Sequence, residues 1–164
     1  MSANDFDFFH GRWTVKHRRL VQRLAGCTDW QEFSGSCEVA PLLGGAGNVD
    51  DNVINPPGGT YRAATLRAFD PALRQWSIWW LDGRYPAARL DPPMVGRFEG
   101  GTGTFYADEV FEDRPIRVRF LWLKTTTPTP RWEQAFSTDA GRTWETNWEM
   151  DFERDFEKDV TQQP

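Results

Sequence analysis

Along most of this chain apolar and polar residues alternate with a period of two, the spacing of strands that bury one face. From Arg12 to Val21, Trp13, Val15 and His17 alternate with Arg12, Thr14, Lys16 and Arg18. From Trp30 to Val39, Phe33, Gly35, Cys37 and Val39 share one side, and Asn48 to Ile54 reads as a short polar strand. Tyr61 to Phe69 and Arg74 to Leu81 form a hairpin across Asp70-Pro71, where proline presets φ for a tight turn. Met94 to Glu99 and Thr104 to Phe111 flank Gly100-Gly101, a two-residue hairpin signal. Ile116 to Lys124 sets Ile116, Val118, Phe120 and Trp122 against Arg117 and Arg119, and Arg131 to Ser137 follows with Trp132 and Phe136. The clearest alternation is the last, Thr143 to Glu153. It puts Trp144, Thr146, Trp148, Met150 and Phe152 on one face and Glu145, Asn147, Glu149, Asp151 and Glu153 on the other.

Strands of this kind, separated by turn signals and without a long helical pattern, predict an all-β sandwich or barrel. Charge favours the barrel. The first strand shows Arg12, Lys16 and Arg18 on its polar face, the last shows Glu145, Glu149, Asp151 and Glu153. Opposite charges gain when they face each other across neighbouring strands, and pairing first with last removes both sheet edges. The expected fold is a single antiparallel, mostly up-and-down β-barrel of about ten strands over residues 1–156, with a polar C-terminal tail over 157–164. Proline and glycine gather in the connections, of which Asp82 to Pro93 is the longest and a candidate cover for a binding site.

Composition narrows the function. Charged residues are 26% of the chain and no apolar run approaches the length of a membrane span, so no membrane partner is expected. The net charge of −5 argues against a nucleic-acid partner. The acidic, aromatic N-terminus is unlike a signal peptide, and the expected location is cytoplasmic. Cys27 and Cys37 lack companion ligands for a metal site, and a reducing compartment argues against a disulfide. No metal or resident cofactor is expected.

Gly11-Arg12-Trp13 opens the first strand, Asp5-Phe6-Asp7-Phe8-Phe9 precedes it, and Arg154 shares the parity of Trp148 and Phe152. In these features the chain resembles uncharacterised bacterial lipocalin-like, calycin-type β-barrels of unknown function. The stretches Tyr61 to Trp80 and Arg131 to Arg154 are similar to the same family. The resemblance implies that Trp13 lies across the closed end of the barrel with Arg154 over its ring. It also implies that Asp5 to Phe9 forms a short aromatic plug. It carries no activity with it. Gly11, Trp13 and Arg154 are therefore structural candidates.

Two further motifs bear on function. Ser137, Asp139, Gly141, Thr143 and Trp144 match the Asp-box pattern S-x-D-x-G-x-T-W. Its physics is a turn: the carboxylate accepts backbone N–H groups and glycine takes φ > 0. Asp139 and Gly141 are read as scaffold between the last two strands, since one box in a chain this short does not make a sialidase propeller. His17 lies on the Trp13 face and points inward. It reads as a core histidine satisfied by a neighbour, as a ligand contact or, more weakly, as a haem ligand.

No Ser-His-Asp arrangement, phosphate loop or H-E-x-x-H motif appears, and no catalytic residue is assigned. The favoured function is binding of a small hydrophobic or aromatic molecule in the barrel. Phe120, Trp122, Trp144, Trp148 and Met150 would form the walls, with His17, Arg19 and Arg67 as polar handles. A pocket of roughly 300–600 Å³ touching His17 is expected near the open end, under the Asp82–Pro93 loop. The alternatives are an isomerase- or cyclase-type enzyme using His17 or Glu109, and a homodimeric interaction module using outer-face residues such as Trp79 and Leu81.

Overall fold

Ten strands close into one barrel. The structure, a computed structural model, describes residues 2–156; the tail expected over 157–164 lies outside the described residues. The strands are β1 (Gly11–Leu20), β2 (Trp30–Leu42), β3 (Gly47–Asn55), β4 (Tyr61–Asp70), β5 (Gln75–Asp82), β6 (Met94–Glu99), β7 (Thr102–Phe111), β8 (Arg114–Leu123), β9 (Arg131–Ser137) and β10 (Glu145–Arg154). Each pairs antiparallel with its neighbours in sequence, and β1 pairs with β10, so the topology is up-and-down throughout.

The closing ladder uses the charges that sequence places there. Lys16 Nζ lies 3.1 Å from Glu153, and Arg18 Nη1 lies 3.1 Å from Glu149. Arg131 on β9 extends the network to Glu149 and Asp151, both at 2.8 Å. These outer pairs set register more than stability, because exposed ion pairs contribute about 0–1 kcal/mol.

A short 3-10 turn, Asp7–Phe9, plugs one end. Phe6 packs edge-on against Trp76 and Phe98, and Phe9 packs on Trp122 and Phe152. The Trp13 indole donates to the Phe9 carbonyl at 2.8 Å. Arg154 lies over the Trp13 ring at 3.8 Å and donates to the carbonyls of His10 and Phe8. Gly11 takes φ +109, and a Cβ there would sit 2.6 Å from an Arg154 nitrogen. Backbone conformation and close approach together require glycine at this position.

The last strand departs from strict alternation. A β-bulge between Thr146 and Trp148 inserts Asn147, which is fully buried and accepts a hydrogen bond from Gln134 at 2.8 Å. Beyond the bulge the faces exchange. Trp148, Met150 and Phe152 point inward, whereas Trp144 lies on the outer surface against Tyr106 and beneath the Arg119 guanidinium. The expectation that Trp144 shares the face of Trp148 is corrected here: the inserted residue reverses its side.

The β9–β10 turn is the Asp box. The Asp139 carboxylate accepts from the N–H groups of Arg142 and Thr143 and from the hydroxyls of Thr143 and Ser137, while Gly141 takes φ +90. The Thr143 bonds, hydroxyl then backbone, with Ser137, hold Asp139 down to about 2. On the opposite outer wall Leu66 pairs with Trp79, and Leu66 and Leu81 are exposed. Cys37 is buried and Cys27 partly exposed, both as free thiols. Among the described residues no helix is long and apolar enough to cross a membrane.

Candidate functional site

On β3 the usual polarity is inverted: Asn48, Asp50 and Asn52 point into the barrel. Beside them Thr65 and Arg67 of β4 are also buried. Such groups need partners away from water. Arg67 donates to Asp50 at 2.7 Å and to Asn48 at 2.9 Å. Asp50 also accepts from Asn52 and from the Thr65 N–H at 2.8 Å. The Arg67 guanidinium rests on the plug, 5.3 Å from the Phe6 ring and 5.2 Å from Phe9. This cluster is the polar floor of a cavity of ≈ 230 Å³.

Above the floor the wall is aromatic. Trp148 meets Trp80 and Trp132 edge-on at 6.1 and 5.6 Å, and Phe120 meets Trp132 at 4.9 Å. The mouth is charged. Arg19 donates to the Tyr61 hydroxyl at 3.2 Å and lies 5.1 Å from each of the Phe33 and Trp148 rings. Arg23 stands over Phe136 at 5.7 Å. Burial, then the charge of Arg19, lowers the Arg23 pKa. The β5–β6 connection adds Arg84, bound to Asp82 at 2.7 Å, together with Asp91 and Pro92. Glu109 of β7 completes the rim, its carboxyl pushed up to about 7 by burial and by the charge of Asp91.

Of the residues expected from sequence, Arg19, Arg67, Phe120, Trp122, Trp148 and Met150 line this cavity, and so does Glu109. Trp144 is outside the barrel for the reason given above. His17 points inward but does not line the cavity, and the expected pocket against it is corrected on both contact and size. Its ring stacks on Phe33 at 4.9 Å, and its Nδ1 accepts the Trp148 indole hydrogen at 3.1 Å. Gly35 leaves the room its ring occupies, since a Cβ there would sit 2.6 Å from Nε2. Burial first, and the Arg19 charge second, lower its pKa to about 4. The ring thus lies behind Trp148, outside the cavity lining.

Asn52, Tyr61 and Trp80 were not singled out by sequence. The alternation of Asn48, Asp50 and Asn52 with Val49, Asp51 and Val53 carried the signal for the floor. Arg23, Arg84 and Asp91 lie in connections, where no periodicity marks direction.

No family model matches this chain, and no curated protein matches it in sequence. Among solved structures it is similar to the S-type phycobiliprotein lyase CPES from Guillardia theta. The TM-score is 0.62 at 9% identity, covering 94% of this chain and 93% of that one. At that identity the likeness is one of fold, a lipocalin-like barrel.

Proposed function

We propose that this barrel binds a small, flat, largely apolar molecule. The observation that carries the reading is the cavity itself: ≈ 230 Å³ left open inside a barrel otherwise filled with aromatic rings. Close-packed interiors keep few voids larger than a water molecule. An aromatic wall with a few convergent polar groups is the usual make-up of a ligand site. The volume is below the roughly 300–1,000 Å³ of drug-sized sites, so the ligand is correspondingly small. The fold likeness to a phycobiliprotein lyase supports a barrel built around a small molecule without saying which.

Indole is a suitable neutral probe. Titration calorimetry should show it binding with one site per chain. Val118→Phe, which adds bulk at a buried residue of the cavity lining, should abolish that binding while the barrel stays folded. Indole that fails to bind, or binds the filled variant equally well, would sink the proposal. Mass spectrometry of gently purified protein would reveal a carried-over ligand directly.

One observation favours a second reading, acid–base catalysis: a carboxyl with a pKa of about 7, Glu109, lines the mouth. That value suits a general acid at neutral pH. His17, the other acid–base candidate, does not reach the cavity, so binding stands first.

A further inference from the structure

Around this cavity two charge pairs are neutralised inside the protein. Arg67 is paired with Asp50, and Arg84 with Asp82. Arg19 and Arg23 are different. Arg19 reaches a phenol and two aromatic rings but no carboxylate, and among the described residues Arg23 makes neither a hydrogen bond nor an ion pair. Two guanidiniums therefore share one side of the mouth, each desolvated in part and each repelling the other, while the Glu145 carboxylate, held by the Leu24 N–H, acts on Arg23 only from beyond ion-pair distance. A like-charge pair in such a place is costly unless an anion joins it. Arg19 is already held in position between Phe33 and Trp148, so little side-chain freedom remains to be lost when a ligand binds.

The rest of the cavity limits what that anion is. The wall next to Arg19 is the Trp80, Trp132 and Trp148 cluster, which suits the face or edge of a ring. Asp91 and Glu109 stand on the rim, so additional negative charge on the ligand meets repulsion. A cation is disfavoured at the arginine side. A single negative charge on a small aromatic body satisfies all three conditions. Guanidinium and carboxylate also match in a planar, two-bond geometry.

We infer that the molecule this cavity takes up is an aromatic monocarboxylate, its carboxylate held by Arg19 and Arg23 and its ring against Trp80, Trp132 and Trp148. The inference rests on the binding reading above and adds the ligand's charge, class and orientation.

Three probes of nearly equal size test it: indole-3-acetate, indole-3-acetamide and tryptamine, compared with unsubstituted indole. Calorimetry on the full chain should show the acetate binding about tenfold tighter than the amide, the worth of one charge-assisted contact. In Arg23→Gln that ratio should fall several-fold, with far-ultraviolet circular dichroism as the control for folding. Equal affinity of acetate and amide, tightest binding by tryptamine, or an unchanged ratio in Arg23→Gln would overturn the inference. In each of those cases indole binding leaves the cavity reading standing. Failure of indole itself overturns both.

Discussion

His17 shows how burial decides what an ionisable residue does. Its unfolded pKa is 6.5 and its folded value about 4, so the neutral ring is the native form. The stability this gives is complete above pH 6.5 and is lost as pH falls through about 4, an effect of about 3 kcal/mol. His17→Asn keeps an acceptor for the Trp148 indole without the titration. Between pH 6.5 and 4 its denaturation midpoint should fall less than that of the parent protein, and parallel curves would contradict the assignment. Glu109 works in the opposite sense. Its carboxyl is protonated below about 7, so binding of indole-3-acetate should weaken as pH rises through that value. Asp91, Arg19, Arg23 and Arg84 share the mouth with it. Glu109→Gln should flatten the profile. At the closed end, Arg154→Ala removes a cation–π contact and leaves two carbonyls short of a donor, a loss of about 2–3 kcal/mol by urea unfolding. Arg154→Lys should recover part of it, because the charge returns over Trp13 but the forked geometry does not. The inward direction of His17 was legible from its parity with Trp13 and Val15. Its isolation was not, because that depends on rings contributed by β2 and β10.

Individual strands were legible where alternation is strict and misleading where it breaks. The text Thr143 to Glu153 reads as one uninterrupted face, yet Asn147 occupies a bulge and Trp144 emerges on the far side. Nothing in composition distinguishes a bulged residue from a paired one; only the partner strand does. β3 misled differently. Asn48 to Ile54 reads as a short polar strand, and only the closed barrel, with its polar floor, shows that the Asn48, Asp50 and Asn52 side faces inward. The Asp-box turn, by contrast, was readable because each of its fixed residues has a local job. Asp139→Ala should lower the midpoint of thermal unfolding, since two backbone N–H groups and two hydroxyls lose their shared acceptor. An unchanged midpoint would mean that the turn holds its shape without the carboxylate.

For the molecule as a whole, closure was foreseeable from charges on the terminal strands, and so was a cavity; its size and its separation from His17 were not, because a void is what remains after ten strands have been packed together. The wall beside it is thinnest between β5 and β6, which pair only over Trp76–Gly96, Ser77–Val95 and Ile78–Met94. Past Ile78 the edge of β5 borders the connection that supplies Arg84 and Asp91 to the mouth. This is the expected route of entry. Amides of residues 79–93 should exchange hydrogen faster than those of the other strands and slow when indole-3-acetate is bound. Equal protection before and after binding would place the entrance elsewhere.

The pairing of β1 with β10 has a kinetic side. Nine of the ten ladders join strands adjacent in the chain, and each can zip as soon as its second strand exists. The tenth joins residues as far apart as Trp13 and Arg154. During synthesis β1 therefore waits with an open edge until β10 has left the ribosome. Through that interval the incomplete sheet presents two unpaired rims, and another nascent copy carrying the same rims is a competing partner. The alternating charges of Lys16, Arg18, Glu149 and Glu153 then act in time as well as in space. They favour the chain's own last strand, tethered and complementary, over a stranger's first strand, which carries the same positive face.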